Sequence, residues 1–257
     1  MGWRGLGKVR KVLIACALCL AALVLATACY LLSYSHPEEH AIGCVNGEVG
    51  KPAVQLDGGI AFLPSEEKDL HVGLVLYPGG KVDYRSYAPH AQACAERGIS
   101  CVIAKMPANI AFLNPDAASG LMLQLPDVQR WYVGGHSLGG VVASSYARGH
   151  SDTVSGLVLL ASYSTEDLVG TSLEVLSVRG SLDGVLDQTA YWENRSNIDS
   201  EHLTEVVVDG GNHSQFGCYG LQKGDNPAAI SEEEQIRQTS IAIVEFVEDF
   251  GGLLSAA

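Results

Sequence analysis

Eight short apolar runs alternate with helical stretches along this chain, and that alternation limits its fold more than any other feature. The runs fall at residues 54–56, 60–63, 72–77, 101–106, 130–133, 157–161, 174–178 and 204–208. Each is too short for a buried helix, and the later ones are apolar nearly throughout, as strands covered on both faces must be. Helical periodicity falls between and after them, at 87–97, 115–123, 138–148, 185–194 and 231–250. The pattern predicts an α/β fold: a mostly parallel twisted sheet with helices on both faces. Residues 40–70 are read instead as an antiparallel lead-in hairpin turning at Asp57-Gly58-Gly59. Ligands of such sheets bind beyond the carboxyl ends of the strands. Functional side chains are therefore expected just after strands.

One segment meets that condition with a distinctive composition. "RWYVGGHSLGG" sets Ser137 among four glycines, directly after the 130–133 run and before a helical stretch. Gly135-His136-Ser137-Leu138-Gly139 fits G-x-S-x-G in the strand–turn–helix context that a nucleophile elbow requires. The tight turn holds the serine in a strained backbone conformation, and its neighbours need glycine to avoid collisions. A serine so placed sits at a helix N-terminus, where free N–H groups and a partial positive charge gather.

An attacking serine needs a base, and the base needs an orienting acid. His213 follows the last strand run and Asp183 follows the one before it, giving the order Ser137, Asp183, His213 with gaps of 46 and 30 residues. Asp167, after the 157–161 run, is the alternative acid; Asp209 is read as bracing its own Gly-Gly turn. For the oxyanion hole the expected donors are the backbone N–H of Leu138 and that of Gly80, with Lys81 as second choice. Lys81 and Tyr84 are the candidate substrate-binding side chains. His136 is expected to pack or bond locally, and His36, His40, His71, His90, His150 and His202 to be solvated surface.

The amino terminus makes a separate statement. Residues 12–32 form a 21-residue stretch without charge, preceded by Arg4, Lys8, Arg10 and Lys11. That length spans a bilayer as a helix, and the basic flank should remain cytoplasmic. The expectation is residues 1–11 in the cytoplasm, a transmembrane signal anchor over 12–32, a linker over 33–39 and a globular domain over 40–257. Two cleaved forms compete with a retained anchor. Ala26-Thr27-Ala28 resembles a signal-peptidase site, and "LATAC" loosely resembles a lipoprotein signal, so a secreted or lipid-anchored product is the alternative. The net charge of −13 includes +4 in residues 1–35, which leaves −17 on the rest. So acidic a domain repels phosphate backbones, and nucleic-acid binding is excluded.

Four of the seven cysteines, Cys44, Cys94, Cys101 and Cys218, lie beyond the apolar segment. Export permits disulfides among them, and three connectivities remain open. Their spacings do not match a zinc site, so no metal is expected. No residue pattern specifies an oligomeric state.

The blocks "LVLYPGGKVDYRSYAPHAQACAERGISCVIAKMP", "WYVGGHSLGG", "GSLDG" and "GGNHSQFGCYGLQKGD" together resemble the α/β-hydrolase superfamily over about residues 50–250. More narrowly, they look like its compact bacterial group near the dienelactone-hydrolase-like enzymes. The resemblance implies ester or related acyl hydrolysis through a serine nucleophile, with no metal or organic cofactor. The dienelactone hydrolases proper use cysteine where this chain has Ser137, so their substrate does not carry over. Many members insert a cap before the seventh strand; only residues 162–173 stand there, too few for a cap domain.

These readings converge on an extracytoplasmic serine hydrolase, a carboxylesterase acting on a small-molecule or lipid ester. An acyltransferase or peptidase on the same three residues is the first alternative. A non-catalytic binding protein on a hydrolase scaffold is the second.

Overall fold

In a computed structural model, residues 3–254 are described, and the chain divides into two compact units between Tyr34 and Ser35. The first unit is helix α1, Trp3–Leu32, whose 12–32 stretch has no proline or glycine to interrupt it. Its last turn closes with Ser33 N–H donating to the carbonyls of Cys29 and Tyr30. Gly7–Leu32 is long and apolar enough to cross a membrane, a property that anchors and signal sequences share.

The second unit is an α/β sandwich. Its eight strands are β1 Val54–Leu56, β2 Gly59–Phe62, β3 Val72–Tyr77, β4 Ile99–Ala104, β5 Arg130–His136, β6 Gly156–Leu160, β7 Glu174–Gly180 and β8 Leu203–Val208. They form one sheet in the order β1-β2-β4-β3-β5-β6-β7-β8. β2 pairs antiparallel with β1 and β4, and every pairing from β4 through β8 is parallel. The helices are α2 Glu39–Asn46, α3 Ala88–Ala95, α4 Ala117–Met122, α5 Leu138–Gly149, α6 Gln188–Asn194 and α7 Glu232–Leu254.

The near-continuous apolar runs follow from this layering, because the period of two sends alternate residues to opposite faces. Val72, Leu74 and Leu76 of β3 join one core with α3 and α7, through Ala91, Ile243 and Phe246. Val75 and Tyr77 of the same strand join the other, with α4 and α5 through Leu121, Val142 and Tyr146. β4 divides the same way, with Ile99, Cys101 and Ile103 on one side and Val102 and Ala104 on the other.

Several boundaries differ from the sequence expectation, among them β4, expected at 101–106 and found at Ile99–Ala104, and two of the differences bear on the lead-in and the site. Residues 40–53 do not belong to the lead-in hairpin, which runs only from β1 to β2. Ala41 and Cys44, three residues apart, bury one side of a helix instead, and Gly47 ends it in the left-handed region at φ 78°. β5 continues past Val133, because Gly134, Gly135 and His136 pair with β6. The link between β6 and β7, residues 161–173, contains no helix, so the sheet's carboxyl edge has no cap there.

Candidate active site

Where β5 passes into α5, the chain turns on a single residue. Ser137 has φ 51° and ψ −123°, a left-handed conformation that a residue with a Cβ enters only under strain. The surrounding glycines make the turn possible. A Cβ on Gly135 would collide with the backbone of Gly139 and Gly140, and one on Gly139 with the carbonyls of Tyr77 and Pro78. Two bonds fix the turn: Ser137 N–H donates to Leu160 O at 3.0 Å, and the Ser162 hydroxyl donates to Ser137 O at 2.7 Å. Ser162 has no sequence motif; only the return of β6 brings it there.

The two expected partners arrive from the ends of β7 and β8. Nδ1 of His213 lies 2.9 Å from Oδ2 of Asp183, with the two side chains 1% and 0% exposed. A carboxylate only accepts, so Nδ1 carries the proton and Nε2 keeps its lone pair. His213 Nε2 is buried and has no hydrogen-bond partner among the described residues. Ser137 and His213 line the same open cleft of about 200 Å³. No hydrogen bond joins the Ser137 hydroxyl to His213; in resting sites of this kind that bond is often long and tightens with substrate. Asp167 does not line that cleft. It is exposed and closes a local turn by accepting from Val169 N–H. Asp209 accepts from the Ser181 hydroxyl at 3.1 Å beside its turn.

Asp183 also shapes the chain that follows it. Its Oδ1 accepts from the N–H groups of Val185 and Leu186, at 2.9 and 2.8 Å. Asp187 then caps α6 by accepting from Ala190 N–H. Those bonds explain why α6 starts at Gln188 rather than at 185, and they leave Val185 and Leu186 free to line the cleft.

The Pro78-Gly79-Gly80-Lys81 loop follows β3 and approaches the start of α5. Gly80 lies close to Leu138: a Cβ there would come within 2.8 Å of the Leu138 side chain. Lys81 N–H already donates to Asn109 O at 2.7 Å, so it does not face a ligand. The N–H groups of Gly80 and Leu138 have no partner among the described residues. Lys81 and Tyr84 do not line the Ser137 cleft; Tyr84 packs partly buried against the core. The lining comes instead from Leu138, Val141, Tyr163, Val185 and Leu186. A larger cavity of about 550 Å³ lies between residues 50–68 and Gln92 and Glu96, remote from these groups.

The histidine inside the elbow does more than pack. Gly79 N–H donates to the Tyr87 hydroxyl at 2.8 Å, and that hydroxyl is also hydrogen-bonded to His136 Nδ1 at 2.8 Å. The Gly79-Gly80 loop is thereby tied to the residue preceding Ser137. Burial, then the adjacent His213 and His90, hold His136 well below the usual histidine range. His136 therefore remains neutral beneath the His213 ring, whose centroid is 4.5 Å away. His90, expected on the surface, is 3% exposed, since α3 packs that face against the sheet.

The loop bearing His213 is fastened by two residues without a sequence signature of their own. Gln235 of α7 clamps Asn212 at both backbone groups, accepting from its N–H at 3.0 Å and donating to its carbonyl at 2.8 Å. Asp225 accepts from Ser214 N–H and hydroxyl, at 2.8 and 2.6 Å, from Gly184 N–H at 3.0 Å and from His213 N–H at 3.4 Å. Burial alone would raise its carboxyl, but these bonds, led by the Ser214 hydroxyl, hold it below the usual range. Asp225 thus joins the Asp183 loop to the His213 loop. Its one sequence trace is a carboxylate closing the "GGNHSQFGCYGLQKGD" block.

Residues 73–237 match the Alpha/beta hydrolase family. No curated protein matches the sequence. Among solved structures, a serine hydrolase without lid from Xanthomonas campestris aligns with a TM-score of 0.53 at 15% identity, covering 77% of this chain and 94% of its own. Est1E from Butyrivibrio proteoclasticus aligns at 0.54 and 15%, covering 76% and 98%. A membrane phospholipase A aligns at 0.54 and 14%, covering 94% of this chain and 98% of its own. At such identities the likeness is one of fold.

Proposed function

The chain belongs to the alpha/beta hydrolase family, and from that premise we propose that it is a serine hydrolase, specifically a carboxylesterase. One observation carries this reading. Ser137, strained at the strand–helix turn, shares a cleft with His213, whose Nδ1 is held by buried Asp183 so that Nε2 is left as the base.

In this mechanism His213 Nε2 takes the hydroxyl proton as Ser137 Oγ attacks the ester carbonyl. The carbonyl electrons move to oxygen, and the N–H groups of Leu138 and Gly80 bind the resulting anion. Asp183 stabilises the imidazolium, which then returns its proton to the departing alcohol. A water activated by the same Nε2 attacks the acyl-serine and frees the acid and the enzyme. The cleft walls are mostly apolar, from Leu138, Val141, Val185 and Leu186. At about 200 Å³ the cleft suits a short acyl group rather than a drug-sized ligand, though the open mouth leaves the alcohol side unrestricted.

In the same reading α1 holds the protein in the cell membrane as a single pass, with residues 33–257 outside the cytoplasm. The four basic residues before residue 12 support that orientation. A catalytic unit carried on such a helix meets lipid esters as readily as soluble ones. The membrane phospholipase A of the same fold is consistent with that.

The test is turnover of p-nitrophenyl esters graded in acyl length by the full chain in detergent, beside Ser137→Ala. Release of p-nitrophenol by the wild type alone, favouring short acyl groups, is the expected result. Equal rates in both proteins would overturn the assignment.

A further inference from the structure

Away from the Ser137 cleft, three distant stretches of the second unit bring three kinds of metal-ligating side chain to one point. His40 is in α2, Cys218 follows the His213 loop, and Glu232 opens α7. A ring nitrogen of His40, the Cys218 sulfur and a Glu232 carboxylate oxygen all lie within 4.8 Å of one another. Within the group, His40 Nδ1 is 3.2 Å from Glu232 Oε1, although these residues are 192 positions apart. A second carboxylate reaches the same sulfur: Glu38 Oε2 lies 4.0 Å from Cys218 Sγ. Spacing arguments look for ligand pairs within a few residues. This set is assembled only by the fold.

The distances suit a small cation. A tetrahedral metal with bonds of about 2.0–2.3 Å keeps its ligand atoms roughly 3.3–3.8 Å apart. Closing the trio therefore takes movements of about 1 Å, from side chains of which two, His40 and Glu232, are part-exposed. Charge points the same way. Two carboxylates and a cysteine face one imidazole, an acidic surplus at a place where Cys218 is 1% exposed.

We propose that His40, Cys218 and Glu232 form a binding site for a divalent cation, zinc by the chemistry of its ligands. Thiolate and imidazole select a borderline-soft ion; calcium and magnesium prefer oxygen alone. Binding replaces the Cys218 S–H bond with a sulfur–metal bond and releases the proton to solvent, so affinity rises with pH. The role is structural. The ion joins α2, the segment five residues beyond His213 and the start of α7, where Glu38 N–H already donates to Cys218 O at 3.0 Å. None of this depends on the hydrolase assignment.

The test uses the full chain in detergent, without a polyhistidine tag, stripped by chelator and titrated with cobalt(II), then zinc(II). The expected result is one equivalent of cobalt with a near-ultraviolet thiolate-to-cobalt absorption that zinc abolishes. That absorption disappears in Cys218→Ser. In His40→Ala and Glu232→Gln, which leave the buried position untouched, affinity falls by roughly 10–100-fold or more. Far-ultraviolet circular dichroism establishes that each variant is folded. Absence of the band in folded wild type, its survival in Cys218→Ser, or unchanged affinity in both other variants would overturn the site. So would a disulfide at Cys218 in a non-reducing peptide map.

Discussion

Nδ1 of His213 sits 2.9 Å from Oδ2 of Asp183, in a contact closed to solvent on both sides. The same carboxylate accepts from two backbone N–H groups through its other oxygen, so its position does not depend on His213. The imidazole is therefore oriented by a group that is itself fixed.

Replacing Asp183 by Asn presents an amide whose oxygen and nitrogen compete for His213 Nδ1 and for the Val185 and Leu186 N–H groups. Turnover should fall by ~10⁴-fold, as in hydrolases whose triad acid is neutralised, with KM little changed. Asp167→Asn should leave kcat within a factor of two or so, since only the local Val169 turn is affected. Steady-state ester kinetics on both variants check this. The reverse ranking would move the acid to Asp167.

Asp225 acts on the reaction only through the loops it joins. Asp225→Asn removes the charge that gathers Ser214, Gly184 and His213, and His213 should lose its register with Ser137. We expect kcat to fall by about 10–100-fold at nearly constant KM, the scale of an ångström of misplacement. Because its folded carboxyl is depressed, Asp225 stabilises the fold above the ordinary carboxylate range, and that contribution is lost as pH drops through its folded value. Acid unfolding of Asp225→Asn should accordingly lack this component. A variant with native kcat would deny Asp225 a positioning role.

His90 gives a second acid sensitivity. Burial, aided by His40, lowers it from 6.5 to about 3, and neither ring nitrogen has a hydrogen-bond partner among the described residues. Above 6.5 it is neutral in both folded and unfolded chains and adds no pH dependence. Below 6.5 the unfolded chain takes up a proton that the folded one refuses, so stability declines down to about 3. His90→Leu should flatten this decline and move the acid midpoint to lower pH in fluorescence-detected unfolding. An unchanged midpoint would exclude His90 as its source.

Gly139→Ala tests the elbow as architecture. The added methyl would overlap the carbonyls of Tyr77, at the end of β3, and of Pro78, just after it; both are backbone atoms and unable to turn aside. A cost of about 1–3 kcal/mol is expected, lowering Tm by roughly 2–4 °C for each kcal/mol, together with loss of turnover. Gly149→Ala, where nothing lies within 4 Å, should leave both nearly unchanged.

The strands were legible because burial on both faces leaves an unbroken apolar run; the 72–77 run is β3 residue for residue. Ser137, Asp183 and His213 could be proposed because each lies within a few residues of the end of such a run, although β5 and β7 extend past the runs expected at 130–133 and 174–178. What could not be read were the contacts that only folding creates. Ser162 braces the Ser137 carbonyl from 25 residues away, and Tyr87 bonds His136 across 49. The loop after β3 suggests Lys81 and Tyr84 as substrate contacts, but the chain turns at Lys81, φ 62°, and neither residue lines the Ser137 cleft. Residues 40–46 look like hairpin until their buried positions, Ala41 and Cys44, are seen at helical spacing.

The central claim is that Ser137 is an activated nucleophile, and reaction with a fluorophosphonate probe tests it most directly. The full chain in detergent should be labelled on one serine, located at Ser137 by peptide mapping, and folded Ser137→Ala should take up no label. Labelling that persists in Ser137→Ala, or a folded wild type that never reacts, would contradict the account.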